Sequence, residues 1–198
     1  LLVPANRVFE VLDELVESLK ENLKKDDDLK SKDITFSFGV AVIPSTLPIR
    51  FNFELAQKLL KSAKESSYQQ DGKGYHVAYR FMEMGVFKPK NDFKIHERIR
   101  AKLGHGMSYE QFKELVEEVK RLKRHKKRNL LYKLLTVLES APAEAKINAY
   151  YFCSRNNDYF KDRDVKRFVD NWVLSPNGNG FVTQIPTMLE MWDFVGEG

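Results

Sequence analysis

Between Lys120 and Arg128 the text KRLKRHKKR carries seven basic side chains, Lys120, Arg121, Lys123, Arg124, Lys126, Lys127 and Arg128, with no acid among them. Cations at this density can neutralise phosphates or the carboxylates of an acidic partner. The block follows Glu110, Glu114, Glu117 and Glu118. A helix with acids at its start and bases at its end complements its own macrodipole, and that explains part of the pattern without a ligand. A solvated helix end and an anion contact both follow from these residues.

The other residues able to do chemistry are dispersed. His76, His96, His105 and His125 fall in different expected elements, with no carboxylate or nucleophile at a useful spacing. The single cysteine, Cys153, excludes an intramolecular disulfide framework and a multi-cysteine zinc site, and is expected as a buried free thiol in a reducing cytoplasm. GxxxxGK[ST], GxGxxG and HExxH are all absent. Asp26-Asp27-Asp28 reads as a solvated loop after the first helix. Gly178 and Gly180 follow Pro176 and read as a turn.

The elements that must position these residues change character near the middle of the chain. Ala5–Lys24 places Val8, Leu12, Leu15, Val16, Leu19 and Leu23 at helical spacing behind a short opening strand. Ile34–Ile43 is apolar and β-branched enough for a central strand. Asn52 can cap a helix bearing Leu55, Ala56, Leu59, Leu60 and Ala63, and Asp71–Gly74 turns into a strand over Tyr75–Phe81. Beyond Phe93 the pattern is helical: Ser108 with Gln111 forms a capping box, Phe112, Leu115, Val116, Val119 and Leu122 make one stripe, and Leu130–Leu138 makes the next. Further helices are expected from Pro142, over Tyr159–Trp172 and over Ile185–Val195, with Ser175–Gly180 as a loop. At 198 residues, 42% of them hydrophobic, the chain can bury one or two ordinary cores, and no apolar run reaches the length of a membrane span. A net charge of +5 does not by itself indicate nucleic acid; its distribution along the chain says more.

Several segments resemble known families. Ala56-Gln57-Lys58-Leu59-Leu60-Lys61-Ser62-Ala63-Lys64 with Gly72-Lys73 downstream is similar to the AD-x-AL-x-x-AK helix and G-[RK]-N turn of GGDEF diguanylate cyclases, with Gln57 in place of the usual Asp. Thr35-Phe36-Ser37-Phe38-Gly39-Val40-Ala41 looks like the strand before that helix. Pro48-Ile49, the opening Val3-Pro4-Ala5, Met107–Phe112 and Asn129–Leu134 resemble the large subunit of type III CRISPR effector complexes, in its second palm and the start of its helical domain. The resemblance covers Leu1 to Ser140.

That resemblance implies an α+β chain: a partial ferredoxin-like palm over residues 1–93, with an antiparallel sheet carrying helices on one face, then an all-α bundle over 94–198. The implied parent makes cyclic oligoadenylate from ATP when target RNA binds, using Mg²⁺ or Mn²⁺ held by carboxylates on a first strand and a GGDD turn. Those two elements are expected upstream of Leu1, as if the chain were a piece of something larger, so the chain alone is expected to be inactive, with no catalytic or metal-ligating residue of its own. It would supply one wall of the nucleotide pocket: Ser37 facing the nucleotide, Gly39 leaving room beside it, and Lys64 and Lys73 reaching a phosphate. Close helix-on-sheet packing is the alternative role for Ser37 and Gly39, and a solvated helix end for Lys64. Implied partners are the other subunits of an RNA-guided complex and its guide and target RNA, in the cytoplasm and without a membrane. Two further readings stand beside this one. They are a catalytically degenerate palm scaffold binding nucleic acid or protein, and a GGDEF-type signalling domain.

Overall fold

The computed structural model describes residues 1–26, 34–69, 74–81, 99–101, 106–140, 144–160, 164–177 and 180–196. In order these form α1 (Val8–Lys25), β1 (Phe36–Val42), α2 (Ile49–Gln69), β2 (Tyr75–Phe81), β3 (Ile99–Ala101), β4 (Met107–Ser108), α3 (Tyr109–Arg124), α4 (Arg128–Ser140), α5 (Ala145–Arg155), α6 (Asn157–Phe160), α7 (Val165–Phe168), a π-helix (Val169–Val173), β5 (Ser175–Asn177), β6 (Gly180–Thr183) and α8 (Ile185–Met191). The chain divides into two compact units. One comprises Leu1–Met84, Gly104–Glu114 and Asp193–Gly196; the other comprises Gly85–Leu103, Leu115–Trp192 and Glu197–Gly198. The expected boundary between residues 93 and 94 lies outside the described residues.

The first unit is built on a three-stranded sheet in the order β1-β2-β4. β1 and β2 run parallel, from Phe36 opposite Tyr75 to Val42 opposite Phe81, while β4 is antiparallel to β2. The sheet is therefore mixed and not antiparallel as expected. The cause is α2: a 21-residue helix carries the chain back along the sheet, so the next strand starts again from the same end. Helices also cover both faces, not one. On one face Gly39 and Ala78 meet α2, where Leu59 and Ala63 are buried. On the other, Phe9 of α1 stacks on Phe81 and Phe112 at 5.8 and 6.0 Å, Tyr79 lies 5.0 Å from Phe112, and Phe194 stacks on Phe81 at 5.7 Å. His76, Val77, Ala78 and Tyr79 of β2 are buried in succession, which requires cover on both sides.

No opening strand forms. Leu1 and Leu2 are 98% and 72% exposed, and the Pro4 carbonyl accepts the Arg7 N–H at 3.0 Å in a 3-10 turn that leads into α1. Pro4 has no N–H for a ladder.

The second unit is mostly helical, but the all-α expectation is corrected by a small sheet in the order β3-β6-β5, with β3 parallel and β5 antiparallel to β6. Ser175–Gly180, expected as a loop, instead supplies β5 and the first residue of β6, with Asn177 opposite Gly180. Nor is Tyr159–Trp172 one helix. The Asp164 carboxylate accepts the Arg167 N–H at 3.1 Å and starts α7 afresh, and the chain then widens into the π-helix, where Leu174 N–H reaches Val169 O at 2.8 Å. Val119, Leu122, Leu131, Leu134, Leu138, Ala149, Cys153, Val169, Val173, Ile185, Met188 and Met191 make its buried core.

Candidate functional site

Three of the four residues expected to face a nucleotide lie on or beside the β1–α2 contact. Gly39 lets α2 come down onto β1: a Cβ there would stand 2.4 Å from Ala56 O and 2.5 Å from Leu60 N. The space beside Gly39 is thus filled by helix backbone. Ser37 lies two residues earlier on the same face and is half-buried. Lys64 continues the stripe of Ala56 and Leu60 by one turn and is exposed. Two strand residues span about 6.6 Å and one helical turn about 5.4 Å, so Ser37 and Lys64 come to the same end of the strand–helix layer. Lys73 lies outside the described residues. Gly106 repeats the close approach beside β4, where a Cβ would meet Ser66 Cβ at 2.5 Å and Ser62 O at 2.8 Å, and Ser66 Oγ donates to Gly106 O at 2.9 Å.

The basic block occupies the end of α3, a three-residue turn, and the start of α4. The structure separates its members. Lys120 pairs with Glu117 at 2.6 Å and Arg121 with Glu118 at 2.9 Å. Glu118 is buried, and its second oxygen accepts the Tyr159 hydroxyl at 2.6 Å. His125 meets the Tyr159 ring edge-on at 5.6 Å. Lys123 and Arg128 are each engaged in contacts of their own. Arg124 and Lys126 are exposed and Lys127 is half-buried; among the described residues these three make no ion pair.

Two polar clusters join residues too far apart in the chain for spacing to reveal. In the first unit the buried Tyr109 hydroxyl donates to Asp13, which also takes Lys113 at 3.4 Å, while Lys20 lies over the Tyr75 and Tyr109 rings at 5.5 and 5.8 Å. Burial, with Asp13 behind it, pushes the Tyr109 phenol well above its ordinary range. In the second unit Tyr150 donates to Asp170 of the π-helix at 2.8 Å, and Lys146 reaches the same carboxylate at 3.1 Å. The Tyr150 bond, then Lys146, holds Asp170 below the usual carboxylate range, and burial with Asp170 pushes Tyr150 up to about 12. Both clusters tie helices together; a phenol held protonated is a poor general base. Burial likewise pushes the Cys153 thiol up to about 12, which keeps it unreactive.

Among the described residues no group of three His, Cys, Asp or Glu side chains is placed to hold a metal ion. The Mg²⁺ or Mn²⁺ implied by the resemblance therefore finds no ligand set among these residues. Asp27 and Asp28 of the acidic knot lie outside the described residues. No described helix is long and apolar enough to cross a membrane. Compared with protein-family models, curated proteins and solved structures, the chain matches none of them.

Proposed function

We propose that this chain works as part of a palm-type nucleotidyltransferase subunit in a type III CRISPR effector complex, as one wall of an ATP pocket joined to a helical unit for contact with neighbouring subunits and RNA. The observation that supports this reading best is the convergence of Ser37 and Lys64 at one end of the β1–α2 layer, within the segment whose text resembles the cyclase palm. Ser37 offers a hydroxyl and Lys64 an exposed ammonium; together they suit the ribose–phosphate part of a nucleotide. The metal-bearing wall and the chemistry belong to carboxylates that these residues do not provide. In this reading the palm is a mixed sheet covered on both faces, not a ferredoxin-like one.

Calorimetric titration of the full chain with ATP and with GTP tests it. ATP is expected to bind in preference, and Lys64→Gln to weaken it about tenfold, the size of one charge-assisted hydrogen bond. Guanine preference would favour a diguanylate-cyclase-like domain. The second reading is a degenerate palm scaffold that binds nucleic acid or protein. It predicts binding of neither nucleotide.

A further inference from the structure

The link from α3 to α4 is short and closed. Lys126 N–H donates to Lys123 O at 2.9 Å and Lys127 N–H to Leu122 O at 2.9 Å, the paired bonds of a Schellman helix end. That motif needs a left-handed residue at the position of Lys126, whose φ is 52°. Glycine adopts this conformation without steric cost, and a lysine does not. Among the described residues Lys126 alone, other than glycine, has a positive φ. The chain thus holds a cation at a position where its backbone favours glycine, and strain retained in this way points to use of the side chain.

The surroundings agree. Glu117 and Glu118 take up Lys120 and Arg121, and Lys123 and Arg128 have contacts of their own, so among the described residues the cations of the block that make no ion pair are Arg124, Lys126 and Lys127. The turn that carries them is braced from beneath, since His125 packs on Tyr159 and Tyr159 bonds the buried Glu118. The stretch Arg124–Lys127 has no apolar side chain to seat in a protein partner, whereas contacts to phosphodiesters are polar and cationic.

We infer that the α3–α4 turn is a phosphate-binding site for the backbone of a nucleic acid strand, with Arg124, Lys126 and Lys127 as its contacts. This rests on the reading of the basic block as a nucleic-acid surface and is independent of the nucleotide wall. Arg124 supplies a planar fork and the lysines point charges.

The test is titration of the full chain with a fluorescent oligouridylate of about 20 nucleotides at rising salt. Three phosphates neutralised by cations give a log–log slope near −2, so affinity should fall about 20-fold between about 50 and 200 mM salt. Lys126→Gly should reduce that loss to about 7-fold, weaken binding at low salt, and raise the thermal midpoint, since it relieves the turn. Lys58→Gln, the same charge change on α2, should leave the slope as it was. Lys126→Gly with unchanged affinity and slope would overturn the inference and leave the wider basic surface standing. A chain that binds polyglutamate and not oligouridylate, or that binds neither, overturns the inference and the nucleic-acid reading together. ATP titration separates either result from the nucleotide wall.

Discussion

Adding one methyl group at Gly39 tests whether the β1–α2 contact is as close as it must be for the rest of the first unit to form. A Cβ there would sit 2.4 Å from Ala56 O, where ordinary contact begins at 3.4 Å, so α2 would have to retreat by about 1 Å (3.4 − 2.4). The obstacle is backbone, which no rotamer change relieves. Overpacking of this kind costs about 1–3 kcal/mol. Against it, alanine restricts the unfolded chain and returns about 0.4–1 kcal/mol. The clash outweighs the entropy, and Gly39→Ala should destabilise by about 1.3 kcal/mol, about 2 less about 0.7. Hydrogen exchange of the β1–β2 ladder reads this in the first unit directly, and it should speed up about tenfold at about 1.4 kcal/mol per decade. Trp172 and Trp192 both lie in the second unit, so their fluorescence follows that unit separately. Leu60→Ala should not rescue the variant, because the contact is with the Leu60 N and Cα. Exchange within threefold of wild type, or rescue by Leu60→Ala, would refute the argument.

Asp170 is held below the ordinary carboxylate range chiefly by Tyr150, so it binds a proton less readily in the folded chain than in the unfolded one. Its contribution is complete above the unfolded value near ~4 and fades as pH falls through the lower folded value; urea titrations of Asp170→Asn across the acid range should lack that limb. On the alkaline side Tyr150 reaches about 12 from 10.0, so its contribution holds below about pH 10 and is lost as pH rises through about 12. Ultraviolet titration should show late-ionising phenols, Tyr109 and Tyr150 among them, of which Tyr150→Phe removes one. Cys153, pushed by burial from 9.0 to about 12, should react with a disulfide reagent near pH 8 on the order of 10³-fold more slowly than an unperturbed thiol until the chain is unfolded. Fast reaction in the native state would show that Cys153 is not enclosed.

What could be read from the residues was local. β1 and β2 announce themselves by β-branched and aromatic runs bounded by turn residues, and α3 by its capping box, where Gln111 N–H donates to Ser108 Oγ at 3.2 Å and Ser108 N–H to Gln111 Oε1 at 3.4 Å. Period-two apolar patterns identify a strand but not its neighbour or direction, so the parallel pairing of β1 and β2 was not legible. The strands β3, β5 and β6 have three or four residues each, too few to show alternation. Glu118 and Tyr159 are 41 residues apart, and Asp13 and Tyr109 are 96 apart; nothing local marks either pair.

The candidate sites divide along the same line. Gly39 was conspicuous because a glycine inside an apolar strand needs a reason, and two reasons, room for a ligand or room for a helix, leave the same trace in the text. Only the position of Ala56 and Leu60 decides between them, in favour of the helix at that point; a nucleotide contact then has to sit at the rim, with Ser37 and Lys64. The basic block shows the converse. Its composition was plain, but seven cations looked equivalent until ion pairs with Glu117 and Glu118 set two of them aside and the left-handed Lys126 marked another. A lysine at that position contradicts the local preference for glycine at a helix end, while every neighbouring choice, from the acidic start of α3 to its Schellman bonds, agrees with the fold. Where one residue breaks a rule that its surroundings keep, folding alone does not explain it, and the explanation is sought in what the side chain binds.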